Sequence, residues 1–183
     1  MKNSKLHIMV ECAILIALSF VLSLFKIFEL PFGGSITPLS MLPVCLIGFL
    51  YGTKWSFGSA FVYSLLQLFT SSVFSWGLSP LVLIVCILAD YIIAFTALGI
   101  TGFFHKKGNF GIICGIFCAM LLRFVCHYIS GVTIWASSAP PELDPFVYSL
   151  LYNGTFMLPE CIFTVIGTIM ICNIPTFKRM INA

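Results

Sequence analysis

The chain has 183 residues, of which 60% are hydrophobic and only 8% charged, with a formal net charge of +3. Soluble domains carry about 25% charged residues, so this composition excludes an ordinary soluble fold and points to the lipid bilayer as the solvent. The basic residues are scattered through loops and form no run, which gives nucleic acid no footing.

Six apolar segments follow in chain order. The first, residues 6–25, is interrupted by Glu11, Ser19 and Ser23. It reads as a membrane helix rather than a cleaved leader, because Lys26, Phe28 and Glu29 follow it instead of a small-residue cleavage site. Within it Ala13 and Ala17 make a small-xxx-small pair, which permits close approach of another helix from the same bundle or from another protein. Residues 26–37 hold a Pro and a Gly-Gly pair, both turn signals. The second segment, 38–51, carries Pro43 and is long enough only for a tilted or partly re-entrant helix. Gly52, Thr53 and Lys54 form a tight turn into a third helix, 55–70, where Tyr63 and Gln67 share a face.

A polar-aromatic loop, 71–79, contains Trp76. Pro80 then fits the first turn of a fourth helix that is expected to continue to 104 and to contain Asp90 and Tyr91. A basic turn at 105–109 leads to the fifth helix, 110–135. A loop with Pro140, Pro141, Glu142 and Asp144 leads to the sixth, 145–174, with Pro159 as the expected kink. The eight cysteines are dispersed through these runs with no C-x-x-C pair and no histidine at ligand spacing. They read as small hydrophobes, not as disulfides or a metal site.

The expected architecture is therefore an all-α integral membrane protein. It is a single domain over 1–183, a bundle of six transmembrane helices with both termini cytoplasmic. Loop charge sets that orientation. The inner segments hold Lys2, Lys5, Lys54, Lys106, Lys107, Lys178 and Arg179, whereas the outer loops hold Lys26 beside Glu29, Glu142 and Asp144. Seven basic residues against one is a positive-inside bias.

One stretch within this frame stands out. Residues 122–135, LRFVCHYISGVTIW, place Arg123, His127, Gly131 and Trp135 at i, i+4, i+8 and i+12. On a helix they share one face. A cation in a spanning run reads by default as a functional site, and the alternative is a packed Arg123 paired with an acidic neighbour and a satisfied core histidine. Orientation turns position into depth. Arg123 and Glu160 fall near mid-membrane, where pairing is expected because each charge alone costs about 2.5–3.5 kcal/mol at a helix centre. Asp90, Tyr91, His127, Trp135, Tyr148 and Asn153 converge in the outer half. An outward pocket with one carboxylate and several rings suits a small, flat, cationic or aromatic solute.

Several segments then fall in the order of a known family: GGSITPLSMLP, YGTKW, ADYIIAFTALGITGFF, HYISGVTIW and VYSLLYNG. Together they resemble the thiamine-specific substrate-binding component of energy-coupling-factor (ECF) vitamin importers of bacterial plasma membranes. The resemblance implies vitamin contacts from Asp90 and the tyrosine after it, Tyr91. It implies ring stacking by His127 and Trp135, and close approach of ligand to backbone at Gly131. Tyr148 and Asn153 would supply polar contacts, and Arg123 a basic position beside the site. This chain has Gly34 and Tyr63 where some members have tryptophan, and Asp90 where some have Glu.

The implied partners are thiamine, a transmembrane coupling subunit that docks on Ala13 and Ala17, two ATPase subunits, and the lipid bilayer. No cofactor is implied, and ATP is used by the partners, since these residues contain no G-x-x-x-x-G-K-[ST] loop. A component for riboflavin, biotin or another vitamin would share the fold, and a membrane enzyme or a purely structural bundle is the different-class alternative. No H-E-x-x-H or G-x-S-x-G set is present to support an enzyme.

Overall fold

The structure is a computed structural model that describes residues 4–182, which leaves Lys2 outside the described residues. Among the described residues the chain forms seven helices and a small hairpin. In order these are α1 (Lys5–Ser23), β1 (Phe28–Glu29), β2 (Ser35–Ile36), α2 (Leu42–Tyr51) and α3 (Thr53–Phe69). They are followed by α4 (Pro80–Phe104), α5 (Gly108–Thr133), α6 (Pro145–Cys172) and α7 (Pro175–Asn182). Local chemistry sets several ends. The Ser4 hydroxyl accepts from His7 N at 3.3 Å to start α1, and Asp144 accepts from Phe146 N at 2.8 Å to start α6. Pro80 and Pro145 occupy first-turn positions, where the missing N–H has no partner to lose.

Among the described residues five helices are long and apolar enough to cross a membrane: α1, α3 with the turn after it, α4, α5 and α6. The sixth apolar helix, α2, has ten residues. It rises only about 15 Å, half of a roughly 30 Å hydrocarbon core. It is also buried from Leu42 to Phe49, so protein rather than lipid surrounds it. Helix does not start at residue 38 as expected. Residues 37–41 instead form a turn with Leu39 at φ 64°, and Thr37 donates from both its backbone N–H and its hydroxyl to Glu160 of α6. Thr37, Ser40 and Met41 of that turn line a cavity.

The fourth span also departs from a regular helix. It is α-helical over Pro80–Cys86, π-helical over Ile87–Ile93, α-helical over Ala94–Thr96 and 3-10 over Ala97–Phe104. The wide π turn carries Asp90 and Tyr91, and such turns cluster at functional sites because they re-aim side chains. The tight 3-10 stretch lies against α2 and α3. A Cβ on Gly48 of α2 would come within 2.2 Å of Thr101 Oγ1, so only glycine permits that approach. The fifth helix ends at Thr133, two residues short of Trp135, which the shared-face reading had placed inside it. The sixth runs through Pro159 as one helix to Cys172. Neither the hairpin β1–β2, paired Phe28 to Ile36 and Glu29 to Ser35, nor α7 was expected from the hydropathy pattern.

Candidate binding site

A cavity of about 390 Å³ opens at the end of the bundle that holds the hairpin and the 71–79 loop. That size falls within the range of small-molecule sites. Its walls include Asp90, Tyr91, Arg123, His127, Gly131, Trp135, Tyr148 and Asn153, together with Gly34 and Tyr63. Every residue singled out as a vitamin contact therefore reaches one cavity.

Asp90 is its electrostatic centre. Oδ1 pairs with His127 Nδ1 at 3.0 Å. Oδ2 accepts from Ser130 Oγ at 2.5 Å, Trp135 Nε1 at 3.4 Å and Cys86 Sγ at 3.4 Å. Two helices, α4 and α5, and the chain beyond α5 thus meet on one carboxylate. Among the described residues His127 Nε2 has no hydrogen-bond partner, and the imidazole stands edge-on to Phe156 with centroids 6.0 Å apart.

Aromatic rings roof the cavity. Phe32, in the turn between β1 and β2, packs against Trp135 at 5.0 Å, and Trp76 meets Trp135 edge-on at 5.4 Å. Phe32 adopts φ 62°, a left-handed conformation unusual for a residue with a Cβ and a feature that functional sites often retain. The Tyr152 hydroxyl holds the roof to α6, donating to Pro31 O and accepting from Gly34 N at 3.2 Å. Gly34 itself lies against Tyr152 and Phe156, where an added Cβ would approach to about 2.9–3.0 Å. None of Phe32, Trp76, Ser130, Tyr152 and Phe156 was singled out as a site residue. Their signal was weak in sequence because rings and hydroxyls are common in such a chain and carry no spacing rule. Trp76, a large amphipathic ring in a short polar loop, was the most legible of them.

The floor differs from the expected ion pair. Arg123 is 6% exposed and Glu160 fully buried, yet among the described residues no contact within ion-pair distance joins them. The guanidinium instead donates to Met41 Sδ at 2.7 Å and lies 4.3 Å from the centre of the Phe95 ring. Glu160 turns to Thr37. Matched depth was not sufficient, because the descending 37–41 turn offers the carboxylate nearer donors. Tyr63 is fully buried against Phe95 at 5.6 Å, with its hydroxyl unpartnered.

Two more lining residues also hold helices together. A Cβ on Gly131 would first meet Ser149 Oγ, at 2.1 Å, so the missing side chain brings α5 onto α6. Asn153 gives its amide to Ser149 O at 2.9 Å, Ser149 Oγ at 3.2 Å and His127 O at 3.3 Å, and so braces the same helix pair. Tyr148 packs against Tyr152 at 5.9 Å and faces the cavity.

Known proteins share this sequence and fold. The chain is 31% identical over 179 residues to the thiamine transporter ThiT of Bacillus subtilis, covering 90% of each protein. It is 25% identical over 182 residues to the thiamine transporter ThiT of Lacticaseibacillus paracasei, covering 90% of this chain and 86% of that one. A solved structure of ThiT from Listeria monocytogenes superposes with a TM-score of 0.75 at 24% identity, over 96% of this chain and 98% of that one, and supports the fold. The family model described as thiamine transporter protein (Thia_YuaJ) matches residues 9–179. With nearly the whole chain matched, this multi-pass membrane protein belongs to the thiamine transporter family.

Proposed function

We propose that the cavity takes one thiamine molecule from the outer side, with Asp90 as counter-charge to the thiazolium and Trp135, Phe32 and His127 as its ring walls. The single observation that carries this is the Asp90 carboxylate, held by His127, Ser130 and Trp135 at the wall of an aromatic cavity of about 390 Å³. A fixed cation over an indole face is stabilised by about 0.5–2 kcal/mol, more when water is excluded. The neutral-imidazole arrangement, with Nδ1–H given to Asp90, leaves Nε2 as an acceptor for an amino group. Arg123 lies below the ring level and keeps the cavity floor polar. Calorimetric titration of the purified chain tests the reading. Thiamine should bind at one site with riboflavin silent, and binding of riboflavin but not thiamine would overturn it.

The topology follows from the same reading. The short α2 completes a sixth span together with the 37–41 turn, and both termini lie in the cytoplasm of a bacterial cell, with the cavity facing out. Transport needs work from elsewhere, supplied in this reading by an ECF module of one transmembrane coupling subunit and two ATPases. Ala13 and Ala17 are both exposed along α1, which supports a surface free to receive the coupling subunit's helix. Ala13→Trp and Ala17→Trp should abolish uptake in cells while the purified variants bind thiamine normally. Accumulation of labelled thiamine in vesicles by this chain alone would contradict the need for partners.

A further inference from the structure

We infer that Ser130 is a positioning residue for the binding site, fixing Asp90 and, through it, the pose of Trp135; this rests on the thiamine-site reading above. Ser130 is almost fully buried, and its Oγ donates to Asp90 Oδ2 at 2.5 Å, the shortest of the four contacts on that carboxylate. Its carbonyl is engaged as well. Ile134 N donates to Ser130 O at 2.8 Å and Trp135 N donates to the same oxygen at 3.3 Å, in the last turn before the chain leaves α5. Trp135 sits there with φ −100° and ψ 10°, outside the helix, yet its indole Nε1 returns to Asp90 Oδ2 at 3.4 Å.

These contacts make a closed circuit. Ser130 holds the Trp135 backbone by its carbonyl and the Asp90 carboxylate by its hydroxyl, and Trp135 and Asp90 then meet. The indole contact at 3.4 Å is long and orients the ring weakly by itself. A charge-assisted O–H donor is shorter and roughly twice as strong as a neutral one, so the hydroxyl fixes the carboxylate plane that His127 also reads. Regular helical geometry cannot do this for Trp135, since α5 ends at Thr133. The side chain of Ser130 therefore does what the expected i+12 spacing was meant to do.

The test is a double-mutant cycle on thiamine affinity with purified full-length chain. Ser130→Ala removes the hydroxyl and leaves the carbonyl in place. It should weaken thiamine binding by about 10- to 100-fold, as removal of a hydrogen bond to a charged group does. Ser130→Thr, which restores a hydroxyl, should recover most of the affinity, and Ser130→Cys, a near-isosteric weak donor, should fall between. In an Asp90→Asn background, Ser130→Ala should cost less than about 2-fold more, because the hydroxyl acts through the carboxylate. With Trp55 and Trp76 changed to Phe, the emission of Trp135 in the unliganded chain should shift on Ser130→Ala, a change that general loosening elsewhere would not make. If Ser130→Ala fails to fold, the cycle is read on Ser130→Cys. Unchanged affinity in the serine variant, or the same loss with and without Asp90, would overturn the inference while wild-type binding leaves the thiamine site intact. Failure of the wild-type chain to bind thiamine would instead defeat the site reading itself.

Discussion

The two ends of this bundle are built from the same helices by different rules. At the end away from the cavity, α2 is buried along eight successive residues, and Gly48 brings it against the 3-10 stretch of α4 with no space for a methyl group. At the cavity end, residues 37–41 form a turn in place of helix, the fourth span widens into a π turn, Phe32 takes a left-handed φ, and a cavity opens. The packed end fixes where the helices run. The cavity end departs from regular geometry where Asp90 and Tyr91 turn to the cavity. A membrane protein tolerates irregular backbone only where protein or a cavity covers it: here α2 and α3 cover the 3-10 stretch of α4, and the π turn borders the cavity.

That comparison can be broken most severely at Asp90. Asp90→Ala removes the cavity's counter-charge and leaves the His127, Ser130 and Trp135 donors without an acceptor, so thiamine affinity should fall by about 100-fold or more, measured by calorimetry. Next in size, Trp135→Ala and His127→Ala should each weaken binding by about 10- to 100-fold in a folded protein, as loss of a ring wall and of a hydrogen-bonded imidazole predicts. Near-unchanged affinity in both would refute ring stacking.

The packed end should respond in the opposite sense. Gly48→Ala should lower stability by about 1–3 kcal/mol, read from thermal unfolding in detergent, while the thiamine affinity of the folded fraction stays within about 2-fold of wild type. A variant with normal stability and damaged binding would erase the distinction between the two ends. The smallest effect is expected at the roof. Tyr152→Phe keeps the ring against Phe156 and removes the hydroxyl that holds Pro31 and Gly34. It should speed thiamine dissociation by a few-fold, measured by stopped-flow fluorescence, with little change in melting temperature.

Much of this was legible in the sequence, for reasons that particular residues make plain. Hydropathy marks the five long spans among the described residues because a bilayer demands long apolar runs. Asp90, His127 and Trp135 stood out because charge and indole are rare in such runs. The irregular backbone was not legible. Nothing in ADYIIAFTALGITGFF distinguishes a π turn followed by a 3-10 stretch from a plain helix, since all three satisfy the backbone within the segment. The Arg123–Glu160 pairing failed for a related reason. Depth along a helix gives height but not azimuth, and Thr37 arrives from a loop whose path hydropathy cannot trace. Gly131 was recognised as a position that needs no side chain, but the atom that fills the space is Ser149 Oγ on the neighbouring helix.

The central claim is that thiamine enters the cavity and stacks on Trp135 beside Asp90. Its most direct test is tryptophan fluorescence of a chain in which Trp55 and Trp76 are changed to Phe, leaving Trp135 as the reporter. Saturable quenching by thiamine at one molecule per chain, abolished by Asp90→Ala and absent with biotin, is the predicted result. Thiamine binding by calorimetry with no change in Trp135 emission would contradict it.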